Sequence, residues 1–223
     1  MNVSSSDLRI DETTIRPLAA DEAPMVGDVI ADSHGDYPAF THLFPDPAQR
    51  RRVLRRLMTG AARDASAFGA VTVAVQGERM LGTAVWLPPG AFPWTSWRKL
   101  KASTNFLPLL WQTRGATSEF FALGANAEKA APAEPHWNLQ VLGIRREAQG
   151  QGLGSQLLQP VLSRADRDGV PCYLETADPA NLPFYQRFGF EFDRRHQLIT
   201  DGPTHYSMRR PPQNRSNPEG GSR

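Results

Sequence analysis

The pattern of apolar and polar residues along the chain predicts an alternation of short strands and amphipathic helices. Alternating or continuously apolar runs predict strands at 13–18, in two runs within 70–89 around the turn "QGER", and at 137–144, 171–176, 190–198 and 205–210. Apolar residues at helical spacing predict helices at 19–34, 46–65, 152–167 and 181–188. The mixture predicts an α/β (α+β) fold in which a mixed sheet is flanked by helices.

The longer helices each show one face suited to burial. Helix 46–65 carries Pro47 in its first turn, where a missing N–H is tolerated. In helix 152–167 the buried face is predicted to consist of Leu153, Leu157, Leu158, Val161, Leu162 and Ala165. Pro160 interrupts this face, and a kink or a tightened turn is expected there because proline lacks an N–H and its ring clashes with the preceding turn.

Composition separates a folded body from a polar tail. Residues 1–210 are predicted to form one domain, and residues 211–223 a disordered tail, because the closing stretch is rich in proline, glycine and serine and has almost no apolar content. The 223 residues have a net charge of +2, but residues 1–208 hold 21 basic against 22 acidic residues. The body is therefore nearly neutral, which argues against nucleic acid as a partner.

Cysteine usage and hydropathy bear on the compartment. Cys172 is the single cysteine, so no intramolecular disulfide forms, and its apolar surroundings indicate a core residue. No apolar run approaches the ~18 residues of a membrane span, and the first residues lack a signal pattern. A cytoplasmic protein without a membrane partner is expected.

The segment 138–158, "NLQVLGIRREAQGQGLGSQLL", places glycines at 150, 152 and 154 between a strand and a helix. Free N–H groups at a helix N-terminus attract anions, and glycines let phosphate oxygens approach them. A tight turn without a ligand remains an alternative. A dinucleotide site and a Walker loop are much weaker alternatives, since Ser155 stands where the third glycine of the first would be and the Gly-Lys-Ser/Thr of the second is absent.

These residues resemble the GNAT superfamily of acetyl-CoA-dependent acetyltransferases. Gln149, Gly152 and Gly154 match its Gln/Arg-x-x-Gly-x-Gly/Ala signature, and "NLPFYQRFGF", with Asn181 and Tyr185, matches its second signature about thirty residues on. Residues 134–209 are especially similar to the puromycin N-acetyltransferases within that superfamily, through "GVP..LET" and "P.NLPFY.R.GF". The resemblance implies a mostly antiparallel sheet whose strands splay at the coenzyme site. Residues 90–135, where acceptor contacts are expected, show no such match.

The resemblance also implies where acetyl-CoA binds. The diphosphate would lie on the glycine turn, and the pantetheine arm would lie beside the preceding strand. Asn181 and Tyr185 would lie near the end of the pantetheine arm. The implied cofactor residues are Val141, Leu142, Gly143, Ile144, Gln149, Gly150, Gln151, Gly152, Leu153, Gly154, Ser155, Asn181 and Tyr185. Asn181 has an alternative role as a helix cap. No metal is expected, since the histidines lack ligand spacing.

Three residues are candidates for proton transfer. The resemblance assigns Tyr185 as the acid that protonates the departing thiolate, although a tyrosine between phenylalanines is otherwise typical of core packing. Glu175, at the end of its strand, and His136, before strand 137–144, are the candidate bases that free the amine. A surface carboxylate and an ordinary edge histidine are the alternatives.

The acceptor is expected to be a small-molecule amine that attacks acetyl-CoA directly. Asp36 and Tyr37, in "DYPAF", are predicted to line its pocket, with a plain Asp-Pro turn as the alternative. An N-acetyltransferase, active as a monomer or homodimer on an aminonucleoside antibiotic or another amine, is the leading hypothesis. The other is a non-catalytic regulatory module that binds CoA.

Overall fold

A computed structural model describes residues 13–98 and 116–213. Residues 1–12 of the predicted domain, residues 99–115 of the unmatched middle and residues 214–223 of the predicted tail lie outside the described residues.

The described strands form one seven-stranded sheet in the order β1-β2-β3-β4-β5-β7-β6. The strands are β1 (Thr14–Pro17), β2 (Val71–Gln76), β3 (Arg79–Leu87), β4 (Trp137–Ile144), β5 (Cys172–Thr176), β6 (Glu191–Gln197) and β7 (Thr204–Arg210). Within this sheet β4 and β5 run parallel, and every other neighbouring pair is antiparallel. The predicted mixed, mostly antiparallel sheet is confirmed.

Helices cover both faces of the sheet. They are α1 (Ala23–Ser33), α2 (Pro38–Leu43), α3 (Pro47–Ser66), α4 (Ala116–Ala130), α5 (Leu153–Asp168) and α6 (Leu182–Gln186). Two 3-10 turns, Arg146–Ala148 and Pro179–Asn181, precede α5 and α6. The helix predicted at 181–188 is therefore a 3-10 turn followed by a short α-helix.

Helix α5 packs on one face of the sheet. All six residues predicted for its buried face are buried, and they contact a cluster that includes Trp86, Trp137 and Leu174. The helix continues across Pro160, which lies on its exposed side. Cys172 belongs to the same core, where burial raises the pKa of its thiol to about 12, as expected for a packing residue.

Helices α1 and α3 pack on the opposite face. Val26, Val29 and Ile30 of α1 meet Val71 and Val73 of β2 in a second cluster. Helix α2 was not predicted, because its six residues are too few to show a helical period. Pro38 occupies the first turn of α2, so the "DYPAF" segment is a helix start rather than a plain turn.

Candidate active site

The parallel strands β4 and β5 separate soon after they begin. They pair at Trp137, Asn138 and Leu139, and no further pair continues the ladder. Val141 and Leu139 face consecutive residues of β3, which makes Gln140 the extra residue of a β-bulge. Because a bulge bends its strand, the second half of β4 turns away from β5. The predicted splay is thereby confirmed.

A cleft of about 850 Å³ opens at this splay. Its volume is typical of sites for small molecules and cofactors. It is bounded by the end of α1 and the start of α2, by β4, by the glycine turn, and by the segment from β5 to α6. The predicted site residues among those lining it are Asp36, Tyr37, Val141, Leu142, Gly143, Ile144, Gln149, Gly150, Gly152, Leu153, Gly154, Ser155, Glu175, Asn181 and Tyr185.

The glycine turn at one end of the cleft has the backbone of an anion site. Gly150 and Gly152 have φ of 77° and 79°, in the left-handed region that favours glycine, and a Cβ added to either would enter open space. Gly152 is the N-cap of α5 and has no side-chain cap. Among the described residues, nothing accepts from the backbone N–H groups of residues 150–154. Free donors at the positive end of a helix suit a phosphate.

Gly154 and the glutamines shape this turn. A Cβ on Gly154 would lie 3.1 Å from Cζ of Phe184, so glycine permits close packing of α5 against α6. The Gln149 side chain donates to the carbonyl of Ile144 at 3.1 Å and holds the end of β4 to the turn. Gln151, which does not appear among the cleft residues, donates to the carbonyl of Glu147 at 3.5 Å. Both side chains support the loop.

These features fit acetyl-CoA. The unpaired edge of β4 beyond Leu139 offers backbone groups to an amide-containing arm, and the glycine turn offers N–H groups to a diphosphate. Arg146 also lines the cleft, where its guanidinium pairs with Asp36 at 2.6 Å. Arg146 is therefore an exposed cation at the cleft whose charge is balanced by Asp36.

Tyr185 places a hydroxyl in the cleft between two aromatic neighbours. The residue is 9% exposed, and its ring packs edge-on against Phe184 and Phe190. Within the described part of the chain its hydroxyl has no hydrogen-bond partner, yet it is not sealed from the cleft. Burial, with a smaller effect of the nearby Tyr37 phenol, raises the pKa of Tyr185, which keeps the proton on the oxygen at neutral pH.

Thr176 joins two walls of the cleft. The Tyr37 hydroxyl donates to Thr176 Oγ1 at 3.2 Å, and the Asn181 side chain donates to the same oxygen at 3.1 Å. The backbone N–H of Ala177 donates to the Tyr37 hydroxyl in turn. Asn181 occupies the N-cap position of α6, but its side chain makes no cap hydrogen bond there. Tyr37 and Asn181 are instead held in place at the cleft.

Glu175 is a largely buried carboxyl next to the last residue of β5. Its side chain is 14% exposed, and it accepts a hydrogen bond of 2.7 Å from the Tyr173 hydroxyl. Burial raises the pKa of Glu175 to about 7, and the hydrogen bond from Tyr173 opposes part of that rise. The group is therefore poised to take up or release a proton near neutral pH.

The second candidate base lies elsewhere. His136 is 5% exposed, its Nδ1 lies 2.8 Å from the carbonyl of Glu134, and its ring packs against Tyr173 and Phe92. Burial lowers its pKa. The described residues that line the cleft do not include it. Tyr173 contacts both His136 and Glu175 and lies between them. Of the two candidate bases, only Glu175 is among the described residues that line the cleft.

Sequence reasoning missed several residues of the cleft wall, among them Ser33, His34, Phe40, Met58, Asp178 and Arg187. His34 follows the end of α1, with its Nδ1 2.8 Å from Ser33 Oγ, and burial lowers its pKa to about 4. A Cβ on Gly143 would lie 2.4 Å from Ile30 Cδ1, so this glycine lets α1 approach β4. No local pattern signals contacts between such distant segments.

Two other features are absent from the described ranges. No cluster of three or more His, Cys, Asp or Glu side chains able to hold a metal ion occurs there. Within the same ranges, no helix has the length and apolarity needed to cross a membrane.

The model of the acetyltransferase (GNAT) family matches residues 36–190, a range that includes most of the residues lining the cleft. The chain belongs to the GNAT acetyltransferase family. A protein of Schizosaccharomyces pombe, described as an uncharacterized N-acetyltransferase, is 27% identical in an alignment 138 residues long, and the match covers 54% of this chain and 51% of that protein. The chain thus spans about half the length of the curated relative that it matches.

Solved structures support the fold. The crystal structure described as histone acetyltransferase HPA2 and related acetyltransferase, from Corynebacterium glutamicum, has a TM-score of 0.65 and 24% identity, with 92% of this chain and 99% of that chain covered. A polyamine N-acetyltransferase from Drosophila melanogaster has a TM-score of 0.63 and 14% identity, with 89% and 99% covered. At such identities the likeness establishes the fold.

Proposed function

We propose that this chain is an acetyl-CoA-dependent N-acetyltransferase that acetylates the amine of a small molecule by direct attack in a ternary complex. The observation that carries the proposal is the cleft at the splay of β4 and β5, which has free N–H donors at one end and Tyr185 and Glu175 in its walls. The proposed cofactor site and the two proposed proton-transfer groups therefore share one cavity.

The chain's own backbone would hold acetyl-CoA. The N–H groups of residues 150–154 would donate to the diphosphate, and the free edge of β4 at 141–144 would pair with the pantetheine amides. When bound, acetyl-CoA supplies an acetyl group activated as a thioester. The Gly143 contact with α1 and the Gln149 bond to Ile144 keep that edge in place.

Glu175 is the proposed proton acceptor for the amine. An alkylamine of pKa ~10.4 is charged at neutral pH, and transfer of its proton to an ordinary glutamate of pKa ~4.3 costs about 8 kcal/mol. A pKa of about 7 reduces that cost to about 5 kcal/mol. Burial therefore makes Glu175 a much better base, while about half of it remains ionised at neutral pH.

Tyr185 is the proposed acid for the departing thiolate. A phenol of pKa ~10 is a weaker acid than a thiol of ~8.5, and the difference amounts to about 2 kcal/mol. Burial widens this gap by raising the pKa of Tyr185. The same low-dielectric cleft would raise the pKa of the thiol, as burial does for Cys172, and the two effects oppose each other.

The acceptor is proposed to be a small primary amine. Asp36 and Tyr37 line the cleft as its proposed contacts. An aminonucleoside such as puromycin is one candidate, supported by the motifs in residues 134–209, and drug inactivation would then be the role. Agmatine and polyamines are others, since enzymes named for them share the fold. The single, buried Cys172 is consistent with action in a reducing compartment such as the cytoplasm.

The experiment is thiol release from acetyl-CoA with a panel of these amines, followed by mass spectrometry of the products. We expect release together with a product heavier by one acetyl group for at least one amine. Binding of CoA without release for any amine would favour the regulatory module instead. An absence of CoA binding would refute both readings.

A further inference from the structure

A histidine from the edge strand of the sheet approaches the proposed base. His196 of β6 places Nε2 3.8 Å from Oε1 of Glu175, across the intervening strand β7. The two side chains are 11% and 14% exposed. They are thus brought together from strands that are not hydrogen-bonded to each other.

The facing nitrogen of His196 is buried and unused. Among the described residues, Nε2 has no hydrogen-bond partner, and 3.8 Å is too long for a hydrogen bond to Glu175. An unsatisfied buried nitrogen costs about 1–3 kcal/mol, so its presence needs an explanation. A small rotation of either side chain would bring the two atoms within bonding distance.

The polar groups described around this pair have other partners and leave His196 Nε2 without a competing contact. Tyr173 on β5 already donates to Glu175 Oε1. On β6 the guanidinium of Arg194 pairs with Asp193 at 2.9 Å, and Ser207 of β7 donates to that same carboxylate. His205, opposite His196 on β7, places its Nδ1 3.1 Å from the carbonyl of Pro203. From α4, Asn126 donates to the carbonyl of Leu198. None of these described contacts occupies His196 Nε2.

We propose that His196 is a proton relay for Glu175, an inference that rests on the proposed function. Glu175 takes one proton from the acceptor ammonium, which leaves a neutral amine and a carboxylic acid. The carboxylic acid passes this proton to the lone pair of His196 Nε2, and the imidazolium releases the proton of its other ring nitrogen, Nδ1, which is not among the buried unpartnered atoms, to water at the sheet edge. Glu175 is then a carboxylate again, and His196 is neutral.

The proton balance shows when this relay is needed. Acetylation of an ammonium ion yields an amide, a thiol and one proton that must leave the site. Acetylation of an amine that is already neutral yields an amide and a thiol with no net proton. A relay therefore matters for alkylamines and is dispensable for aromatic amines, which are neutral at pH 7.

Two isomeric amines test this prediction: 2-phenylethylamine, an alkylamine, and 4-ethylaniline, an aromatic amine. In the His196→Gln variant at pH 7, we expect kcat/KM to fall about tenfold for the alkylamine and less than about twofold for the aniline. Equal losses for both amines would mean a structural role and would overturn the relay. The His205→Gln variant, which alters the facing histidine, is the matched control and should leave the ratio of the two rates unchanged.

A second measurement needs neither substrate nor cofactor. The titration of the His196 ring is followed by NMR in the full chain, in the wild type and in Glu175→Gln. Loss of the facing carboxylate should lower the pKa of His196 by about 1 unit, because an opposite charge at this distance favours imidazolium. An unchanged titration would overturn the proposal. If the wild type acetylates neither amine, the proposed function loses support there, whereas this titration still decides whether the two groups are coupled.

Discussion

Tyr185 combines a buried ring with a hydroxyl available to the cleft. We predict that Tyr185→Phe lowers kcat about 100-fold and changes the Kd for acetyl-CoA less than about threefold. The phenylalanine keeps the ring contacts with Phe184 and Phe190 but removes the transferable proton. Steady-state kinetics and calorimetric binding give the two numbers. Tyr206→Phe, on β7 outside the cleft residues, is the control, and an unchanged kcat in Tyr185→Phe would remove Tyr185 as the acid.

Tyr173 tunes the proposed base from the neighbouring position on the same face of β5. Its hydroxyl stabilises the ionised form of Glu175 and so holds down a pKa that burial has raised to about 7. In Tyr173→Phe that hydrogen bond is lost, and the pKa of Glu175 should rise further. We predict that the rising limb of the kcat/KM profile against pH moves to higher pH in this variant.

The control for this shift is the Glu175→Gln variant. Its kcat/KM profile should lose the rising limb or show one that reports the pKa of another group. A profile in Tyr173→Phe that coincides with the wild type would show that Glu175 does not govern the pH dependence. Both variants retain a side chain of similar size, so the core around β5 remains filled.

At the scale of single elements, α5 offers a matched test of the anion site. Gly152 at its start and Gly169 at its end both have left-handed φ, 79° and 67°, and a Cβ on either meets nothing within 4 Å. Alanine at either position should cost about 1–2 kcal/mol of stability through backbone strain. We predict that Gly152→Ala also weakens CoA binding at least about tenfold, because the strained turn no longer presents its N–H groups together.

Isothermal titration with CoA and thermal unfolding of both variants separate the two effects. Gly169→Ala should lose similar stability and keep the wild-type Kd. Equal Kd values in both variants and the wild type would mean that the turn does not hold the diphosphate.

Elements were predictable where their signal is local. The apolar face of α5, from Leu153 to Ala165, shows as a helical spacing within one segment, and β4 shows as an alternation within another. The sequence therefore predicts both elements to within a few positions. The bulge at Gln140 depends on pairing with Val85 and Trp86, which no local pattern reveals. Helix α2 is too short for its period to show.

The site residues were likewise predictable where their signal is local and not predictable where it depends on contacts between distant segments. The glycine turn, Asn181 and Tyr185 were found because they lie in compact motifs, and the structure brings them together with Glu175 in the cleft. The approach of His196 to Glu175 joins residues on two strands separated by a third, and nothing in either segment indicates it. His136 had the right chemistry for a base, but its position among the strands keeps it out of the cleft-lining residues.

At the scale of the whole molecule, the sheet order gathers the site at one place. Strand β7 lies between β5 and the polar edge strand β6. The side chain of His196 on β6 extends past β7 to Glu175, near the end of β5 that faces the cleft. The parallel pair β4 and β5 separates at that same end. A buried carboxyl at such a junction lowers the stability of the fold when it ionises, and this cost can be measured.

The sign of this cost follows from the raised pKa of Glu175, about 7 in the folded state against 4.5 when unperturbed. As the pH rises from 4.5 to 7, Glu175 ionises in the unfolded chain before it ionises in the folded protein. The contribution of this carboxyl to the free energy of unfolding is therefore full below pH 4.5 and is lost by pH 7. The loss amounts to about 3 kcal/mol.

We predict that Glu175→Gln, which cannot ionise, gains about this much stability relative to the wild type between pH 4.5 and pH 8. Urea unfolding at the two pH values measures it. Glu191→Gln, an exposed site on β6, should follow the wild type, and the same behaviour in Glu175→Gln would show that this carboxyl ionises freely in the folded protein.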